Sequence, residues 1–238
     1  MILQQVSSAH KLFVMKVLIF LLICLSSLSL YSQSIEVFGG ANRNLFYGAN
    51  DGAHFNSTYH PGNGFSAGVG IDSVKLDWLT LRFTVQFDRY SGEFSVSDGG
   101  QGGGFSTTAS IEKSGVSLGA FPLNFSLGKR LNINLGAEVS RLVDESFSGT
   151  VDSWRMVLDP PGSPVESESQ DMNALYDRVS SRTCFGLKAR LAYDIALTKR
   201  LCLVPQYAYY LGLSKEFKEF PEVTKSMRHH LCLGIKWK

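Results

Sequence analysis

The clearest pattern in the chain is an alternation of apolar and polar residues between positions 182 and 197. A period of two is typical of a β-strand, because successive side chains of a strand point to opposite faces. No segment after residue 33 has an apolar stripe with the helical period of 3.6. We therefore predict an all-β fold. The odd positions from Thr183 to Leu197 are apolar or nearly so, and the even positions include Arg182, Lys188, Arg190 and Asp194.

The same alternation recurs in seven further segments, so the chain is expected to form about eight strands. Within the last of the weaker segments, the phase of the alternation changes near Phe121 and Pro122. A change of phase inside a strand predicts a β-bulge. The clear segments are 79–88, 131–139, 201–213 and 231–237, and the weaker ones are Ile35–Phe46, Gly64–Val74 and Thr107–Leu127.

The connections between the predicted strands alternate between short and long. Short turns at one end and long loops at the other are typical of outer-membrane barrels, whose turns on the periplasmic side are short. The sequence therefore predicts an eight-stranded antiparallel up-and-down transmembrane β-barrel with both termini at the short-turn end. The short turns are 72–77, 128–130 and 198–200, and the long loops are 47–63, 95–106, 144–180 and 214–227.

The direction of the apolar face separates two kinds of barrel. A soluble lipocalin-like barrel holds its apolar residues inside, whereas a membrane barrel turns them outward. The strand from Thr183 to Leu197 rises roughly 30 Å after a 45° tilt, which is about the thickness of a bilayer core. Aromatic residues such as Tyr193 and Trp237 lie near the ends of the apolar face, as at a membrane interface. We predict a membrane barrel, and the alternative is a soluble periplasmic barrel that binds an apolar ligand.

Residues 1–33 have the features of a secretory signal peptide. Met15 and Lys16 lead into an apolar run from Val17 to Leu30, which is shorter than the about 20 apolar residues of a spanning helix. We expect an upstream extension before Met15, then the signal, and one outer-membrane β-barrel domain at residues 34–238. The net charge of the 238-residue chain is only +2, so no nucleic acid is expected as a partner.

The even-numbered charged residues should lie inside the barrel. An eight-stranded barrel is only wide enough for its own side chains, so we predict a plugged lumen in which buried charges pair with one another. The three cysteines of the exported part, Cys184, Cys202 and Cys232, share this face. They are small lumen residues or, alternatively, include a bridge between Cys202 and Cys232. The predicted lumen charge network consists of Arg82, Asp88, Glu138, Lys188, Arg190 and Asp194.

The longest predicted loop, residues 144–180, carries eight acidic and two basic residues. It is either a solvated loop or a surface that binds a partner protein or divalent cations. The candidate residues of a loop interaction surface are Trp154, Arg155, Met156 and Asp159.

The signal that ends Leu-Tyr-Ser-Gln, the strand arrangement and the closing strand HHLCLGIKWK together resemble the PorT-like outer-membrane β-barrel family of Bacteroidetes. The resemblance implies a cell-envelope protein, and some members of that family are implied to serve protein secretion or gliding. We therefore expect a non-enzymatic structural or protein-interaction element of the outer membrane, in contact with its lipids and without a cofactor or metal. A protein partner is expected at the extracellular loops or at the periplasmic turns.

One enzymatic alternative is a lipid-modifying barrel. Its chemistry would need a histidine to activate a serine or to polarise a carbonyl. The best candidates are His229 and Ser226.

Overall fold

The computed structural model describes most of the chain after residue 31. The predicted signal peptide lies outside the described residues, apart from its last two positions, and so does Asp159 of the predicted loop surface. The described residues are 32–49, 56–76, 79–100, 103–128, 130–156, 165–176, 178–218 and 223–238.

Almost all of the described chain is β-strand. One short helix, α1, covers Met172–Leu175. Among the described residues, no helix is long and apolar enough to cross a membrane. The strands are β1 (Ser32–Ala49), β2 (Asn56–Leu76), β3 (Leu79–Gly100), β4 (Gly103–Leu127), β5 (Leu131–Met156), β6 (Val165–Asp171), β7 (Thr183–Tyr193), β8 (Ile195–Ala196), β9 (Leu201–Gly212) and β10 (Val223–Trp237).

Eight of these strands close into a barrel, which confirms the predicted fold class. The order around the ring is β1-β2-β3-β4-β5-β7-β9-β10, and β10 pairs with both β9 and β1. Every pairing is antiparallel, with Ile35 opposite Trp237 at the terminal end. β8 continues the ladder of β7 along β9, with Ile195 opposite Leu203, and of the described strands only β6 lies off this path, paired with β5.

The apolar face of the barrel points outward. Leu187, Leu191 and Ile195 expose 52%, 44% and 39% of their surface, whereas Lys188 and Arg190 expose 4% and 6%. A soluble carrier would show the opposite arrangement, so that alternative is wrong. The outward apolar residues form a belt that continues around the wall through residues such as Leu118, Phe125, Leu135, Val139, Leu231, Leu233 and Trp237.

A closed antiparallel barrel with a belt of this kind is the architecture of outer-membrane proteins. The backbone groups of the wall are paired strand to strand, so no open edge faces lipid. The chain is therefore an outer-membrane β-barrel, and its short-turn end faces the periplasm.

The predicted bulge in β4 is present. Ala120 pairs with Ala137 and Leu123 pairs with Leu135, so two residues of β4 oppose the single Gly136. The bulge reverses which parity faces the lumen, because Phe121 is buried while Phe125 is 52% exposed. This reversal keeps the outer wall apolar down to the turn at Gly128, whose φ of +67° suits glycine.

The predicted long loops are largely wrong, because strands continue through them. β3 continues to Gly100 and β4 begins at Gly103, so strand covers most of the predicted loop 95–106. β5 extends to Met156 and forms a hairpin with β6 inside the predicted loop 144–180. The predicted loops 47–63 and 214–227 also contain strand residues of β1, β2 and β10.

These extensions invert the arrangement of polar and apolar residues. On β4, the outward residues change from Val116 and Leu118 to the exposed Glu112, Ser110 and Thr108 toward the extracellular end. Inward positions there become apolar, because water replaces lipid outside. The resulting apolar cluster inside the extension contains Phe46, Tyr90, Phe94, Val96, Ala109, Ile111, Met172, Val179 and Phe217.

Candidate functional site

The periplasmic half of the lumen holds a continuous chain of ion pairs. Arg82 donates to Glu36 and to Asp72, each at 2.8 Å. Glu36 also accepts from Arg190 at 2.8 Å. Asp72 lies 2.9 Å from Lys236, which in turn lies 3.6 Å from Asp194.

A second group of ion pairs lies above the first. Lys188 pairs with Glu138, and Arg228 reaches both Glu138 and Asp88 at 3.4 Å. Gln86 joins the two sides, because it accepts from Lys188 at 2.9 Å and donates to Asp88. Side chains of strands on opposite sides of the barrel are thereby connected across its axis.

The lumen therefore contains all six charged residues that the sequence placed there. For Glu36, Asp72 and Lys236 the alternation held the signal, since these are even-numbered residues of predicted strands. Lys113 has the opposite parity, Arg228 lies before the predicted segment 231–237, and Glu216 lies between β9 and β10 where no strand pattern marks it. The partners missed are Glu36, Asp72, Lys113, Glu216, Arg228 and Lys236.

Glu216 anchors the chain between β9 and β10 inside the barrel. Its carboxylate accepts from Tyr90 and Lys113 at 3.0 Å each and from Ser226 at 2.9 Å. Burial alone would raise the pKa of Glu216, but the nearby cations of Lys113 and Arg228 outweigh it and hold the pKa at about 2. Glu216 is therefore ionised at neutral pH.

The neighbouring Phe217 closes the extracellular mouth. Its ring lies 5.0 Å from that of Phe46 and 5.2 Å from that of Phe94, and the ammonium of Lys113 lies 4.3 Å from its centre. Met172 of α1 and Val179 are fully buried in the same cluster. The segments after β6 and β9 thus form an apolar cap over the ionic lumen.

Little space is left along the axis of the barrel. Two cavities inside the described lumen measure about 20 Å³ each, near Arg228 and near His230. Such a volume accommodates about one water molecule. The described side chains thus fill these parts of the lumen, in agreement with the narrow interior of an eight-stranded barrel.

The three cysteines are buried in the lumen and unpaired. Cys202 lies opposite Lys236 in the register of β9 and β10, whereas Cys232 lies opposite Gln206. Their positions are four residues apart along the pair, which is too far for a disulfide. The alternative of a bridge between Cys202 and Cys232 is wrong in this structure.

The candidate residues of the enzymatic alternative are not brought together. Ser226 points into the barrel and donates to Glu216, whereas His229 is exposed on the outer wall with its Nδ1 2.7 Å from the Tyr207 hydroxyl. Residues three apart in a strand have opposite parity and face opposite sides, so Ser226 and His229 do not share a site. Among the described residues, no cluster of His, Cys, Asp and Glu side chains could hold a metal ion.

The candidate loop surface is part of a sheet. Trp154 and Arg155 lie in β5, and Met156 is its last residue. The Trp154 indole packs over the paired Gly99 and Gly104, where any β-carbon would collide with it. Trp154 is thus half-buried against its own sheet, while Arg155 is exposed opposite Glu166 of β6.

Within the described part of the chain, the sheet beyond the belt has two open edges. Among the described residues, β6 pairs only with β5, and the stretch 56–61 of β2 pairs only with β3. The exposed residues of β6 are polar, with carboxylates at Glu168 and Asp171. An unpaired edge presents backbone donors and acceptors to an incoming strand.

No family model and no curated protein sequence matches the chain. Similar solved structures include Neisserial surface protein A, with 18% identity, coverage of 86% of this chain and 96% of that chain, and a TM-score of 0.39. Ail of Yersinia pestis shows 11% identity, 85% and 97% coverage and a TM-score of 0.38. OprG of Pseudomonas aeruginosa shows 12% identity, 87% and 96% coverage and a TM-score of 0.39. At these identities the similarities assign neither a family nor a task.

Proposed function

We propose that the protein is a non-enzymatic outer-membrane barrel whose extracellular sheet binds a partner protein. The open edge of β6 carries this proposal. Because the sequence resembles PorT-like proteins, we further propose that the barrel belongs to a secretion or envelope complex. Outer-membrane lipids are the surroundings in which the barrel works.

The sheet projects well beyond the lipid belt. On β4 the belt begins at Val116, and the strand continues outward to Gly103. This stretch spans roughly 44 Å at about 3.4 Å per residue, or roughly 30 Å of height after a 45° tilt. A projection of that height places β6 where a protein partner could reach it.

The chemistry of β6 favours one kind of partner. An extended segment can add to an open edge through main-chain hydrogen bonds. The carboxylates of Glu168 and Asp171 disfavour pairing with a second copy of the same acidic edge and favour a segment that carries lysine or arginine. The partner class is therefore an extended basic segment of another envelope protein.

The sealed lumen supports a role in display rather than in transport. Ion pairs fill the periplasmic half, and the cap around Phe217 fills the extracellular half. The stabilised lumen instead makes the wall a rigid base for the projecting sheet.

Site-specific photocrosslinking in intact cells tests the proposal. A photoreactive residue at Ser169 on β6 should give a discrete adduct, mapped by mass spectrometry to an extended basic segment. A control at the exposed Ser110, on the outer face of the sheet away from its edge, should give none. Changing Glu168→Lys should reduce the Ser169 adduct strongly. Equal adducts at both sites, or a Ser169 adduct that is indifferent to Glu168→Lys, would contradict the proposal.

A further inference from the structure

Two adjoining grooves lie on the outer surface where the lipid belt ends. One groove, of about 260 Å³, is lined by residues of β5 and by Arg178 and Arg182. The other, of about 900 Å³, shares the same two arginines and continues past Tyr176 and Lys218. We call Arg141, Arg178 and Arg182 the arginine rim.

A second bulge of the wall helps to build the arginine rim. Gly115 of β4 pairs with Leu142 and Ser114 pairs with Asp144, so Val143 is the extra residue of β5. Below this bulge Arg141 faces outward, one position above Val139 on the same face. Arg141 thus stands at the upper border of the belt.

The segment 178–182 is fixed beside this bulge. The Leu142 amide donates to the Arg182 carbonyl at 2.9 Å, and the Ser180 hydroxyl donates to Glu145 at 2.6 Å. Val179 is fully buried in the apolar cap. These contacts hold the exposed Arg178 and Arg182 next to Arg141.

The arginine rim lacks dedicated counter-charges within the described chain. Its three guanidinium groups form no ion pair with a described carboxylate. Two carboxylates also line the smaller groove, namely Asp144 and Glu145, and Glu145 accepts from Ser180. By contrast, Arg89 on a neighbouring strand has its own partner, Glu112, at 2.5 Å. The lining of the smaller groove sets three guanidinium groups against two carboxylates, so the rim keeps a net positive charge.

The wall directly below the arginine rim is apolar. Val139 and Phe185 are cross-strand neighbours and expose 49% and 52% of their surface, and Val143 beside the arginines exposes 53%. Cations above and hydrocarbon below follow the order of an anionic lipid, with its phosphate at the interface and its acyl chains in the core. A free anion would make no contact with the apolar wall below the arginine rim.

We propose that the arginine rim binds a phosphate of an outer-leaflet glycolipid, whose acyl chains lie against Val139 and Phe185. Arginine suits this ligand, because its planar guanidinium meets phosphate oxygens through two hydrogen bonds. The site does not include the open edge of β6. A test of lipid binding is therefore independent of the proposed protein partner. The bound glycolipid would connect the β5–β7 side of the barrel to the surrounding outer leaflet.

Lipid binding to the purified full chain in mild detergent tests this site. The probes are bis-phosphorylated lipid A, the same lipid after removal of its phosphates, and inorganic phosphate, with adducts measured by native mass spectrometry. The double variant Arg178→Gln/Arg182→Gln should bind lipid A about 30-fold more weakly, since each basic residue near a membrane surface contributes about fivefold. The matched control is Arg43→Gln/Lys225→Gln, which removes the same charge from outward positions on β1 and β10.

The control variant should retain the affinity of the unmodified protein within about threefold. The dephosphorylated lipid should bind as weakly to the unmodified protein as lipid A binds to the rim variant. Equal losses in both double variants would show a general charge effect and overturn the site. Competition by inorganic phosphate as strong as that of lipid A would overturn the assignment to a lipid.

Discussion

Changing Glu216→Gln should loosen the cap of the barrel. The substitution keeps the shape of the side chain and removes its charge. Lys113, whose side chain is only 1% exposed, would then keep a buried ammonium without its counter-ion. The ammonium also packs against the Phe217 ring, whose centre lies 4.3 Å away.

Two estimates give the same magnitude for this change. A pKa of about 2 for Glu216 against its ordinary 4.5 corresponds to about 3 kcal/mol, at about 1.4 kcal/mol per pKa unit. Removal of one partner from a buried ion pair typically costs about 3 to 5 kcal/mol. We therefore expect Glu216→Gln to lower the free energy of unfolding at pH 7 by about 3 kcal/mol.

The pH dependence of unfolding provides the check. Because the pKa of Glu216 is depressed in the folded state, its stabilisation is present above about pH 4.5 and is lost as pH falls toward about 2. Urea unfolding in detergent micelles from pH 7 to pH 3 should show the two proteins converging in stability. The double variant Glu216→Gln/Lys113→Met should recover much of the loss, since it removes both charges. A constant difference between the proteins at all pH values, or no difference at pH 7, would refute the reasoning.

Three further predictions follow from the lumen and the wall. In planar bilayers the purified barrel should give no steady conductance, and stable channels would contradict the sealed lumen. Gly136→Ala should lower the free energy of unfolding by about 1 to 3 kcal/mol, because its β-carbon would collide with the Ala120 carbonyl across the β4 bulge, and unchanged urea unfolding would argue against that bulge. Cys184, Cys202 and Cys232 are buried, so a maleimide should label them in the unfolded protein and leave the folded barrel unlabelled.

The part of the fold within the lipid belt was predictable from the sequence. Lipid outside and paired charges inside impose opposite demands on successive residues, so Leu187 and Lys188 reveal their faces by parity alone. The bulge at Phe121 and Pro122 was predictable for the same reason, since it shifts that parity. A local pattern sufficed wherever the surroundings of the two faces differed strongly.

The extracellular extension was not predictable by the same criterion. There the outward residues meet water and the inward ones meet the apolar cap, as with Ser95 and Phe94 on β3. This pattern opposes that of the lipid belt, and the surrounding glycine and serine residues are also typical of loops. The open edge of β6 therefore lies in a region that we predicted to be a loop.

Long-range partners were the second part that sequence could not supply. Glu216 meets Lys113 only because the chain after β9 folds back into the mouth, and Arg178 meets Arg141 only through the bulge at Val143. Neither of these two contacts produces a periodic pattern in the sequence around the residues that form it. The predicted loop surface failed for a related reason, because Trp154 has a place to pack on Gly99 and Gly104 that only the strand register creates.

The central claim is that the outer wall near Leu191 contacts hydrocarbon, whereas the outer face of β4 at Ser110 contacts water. The most direct test introduces the same cation on both outer surfaces and measures urea unfolding in lipid vesicles. Leu191→Arg should lower the free energy of unfolding by about 2 to 4 kcal/mol, and Ser110→Arg should change it by about 0 to 1 kcal/mol. Equal tolerance of arginine at the two positions would contradict the account.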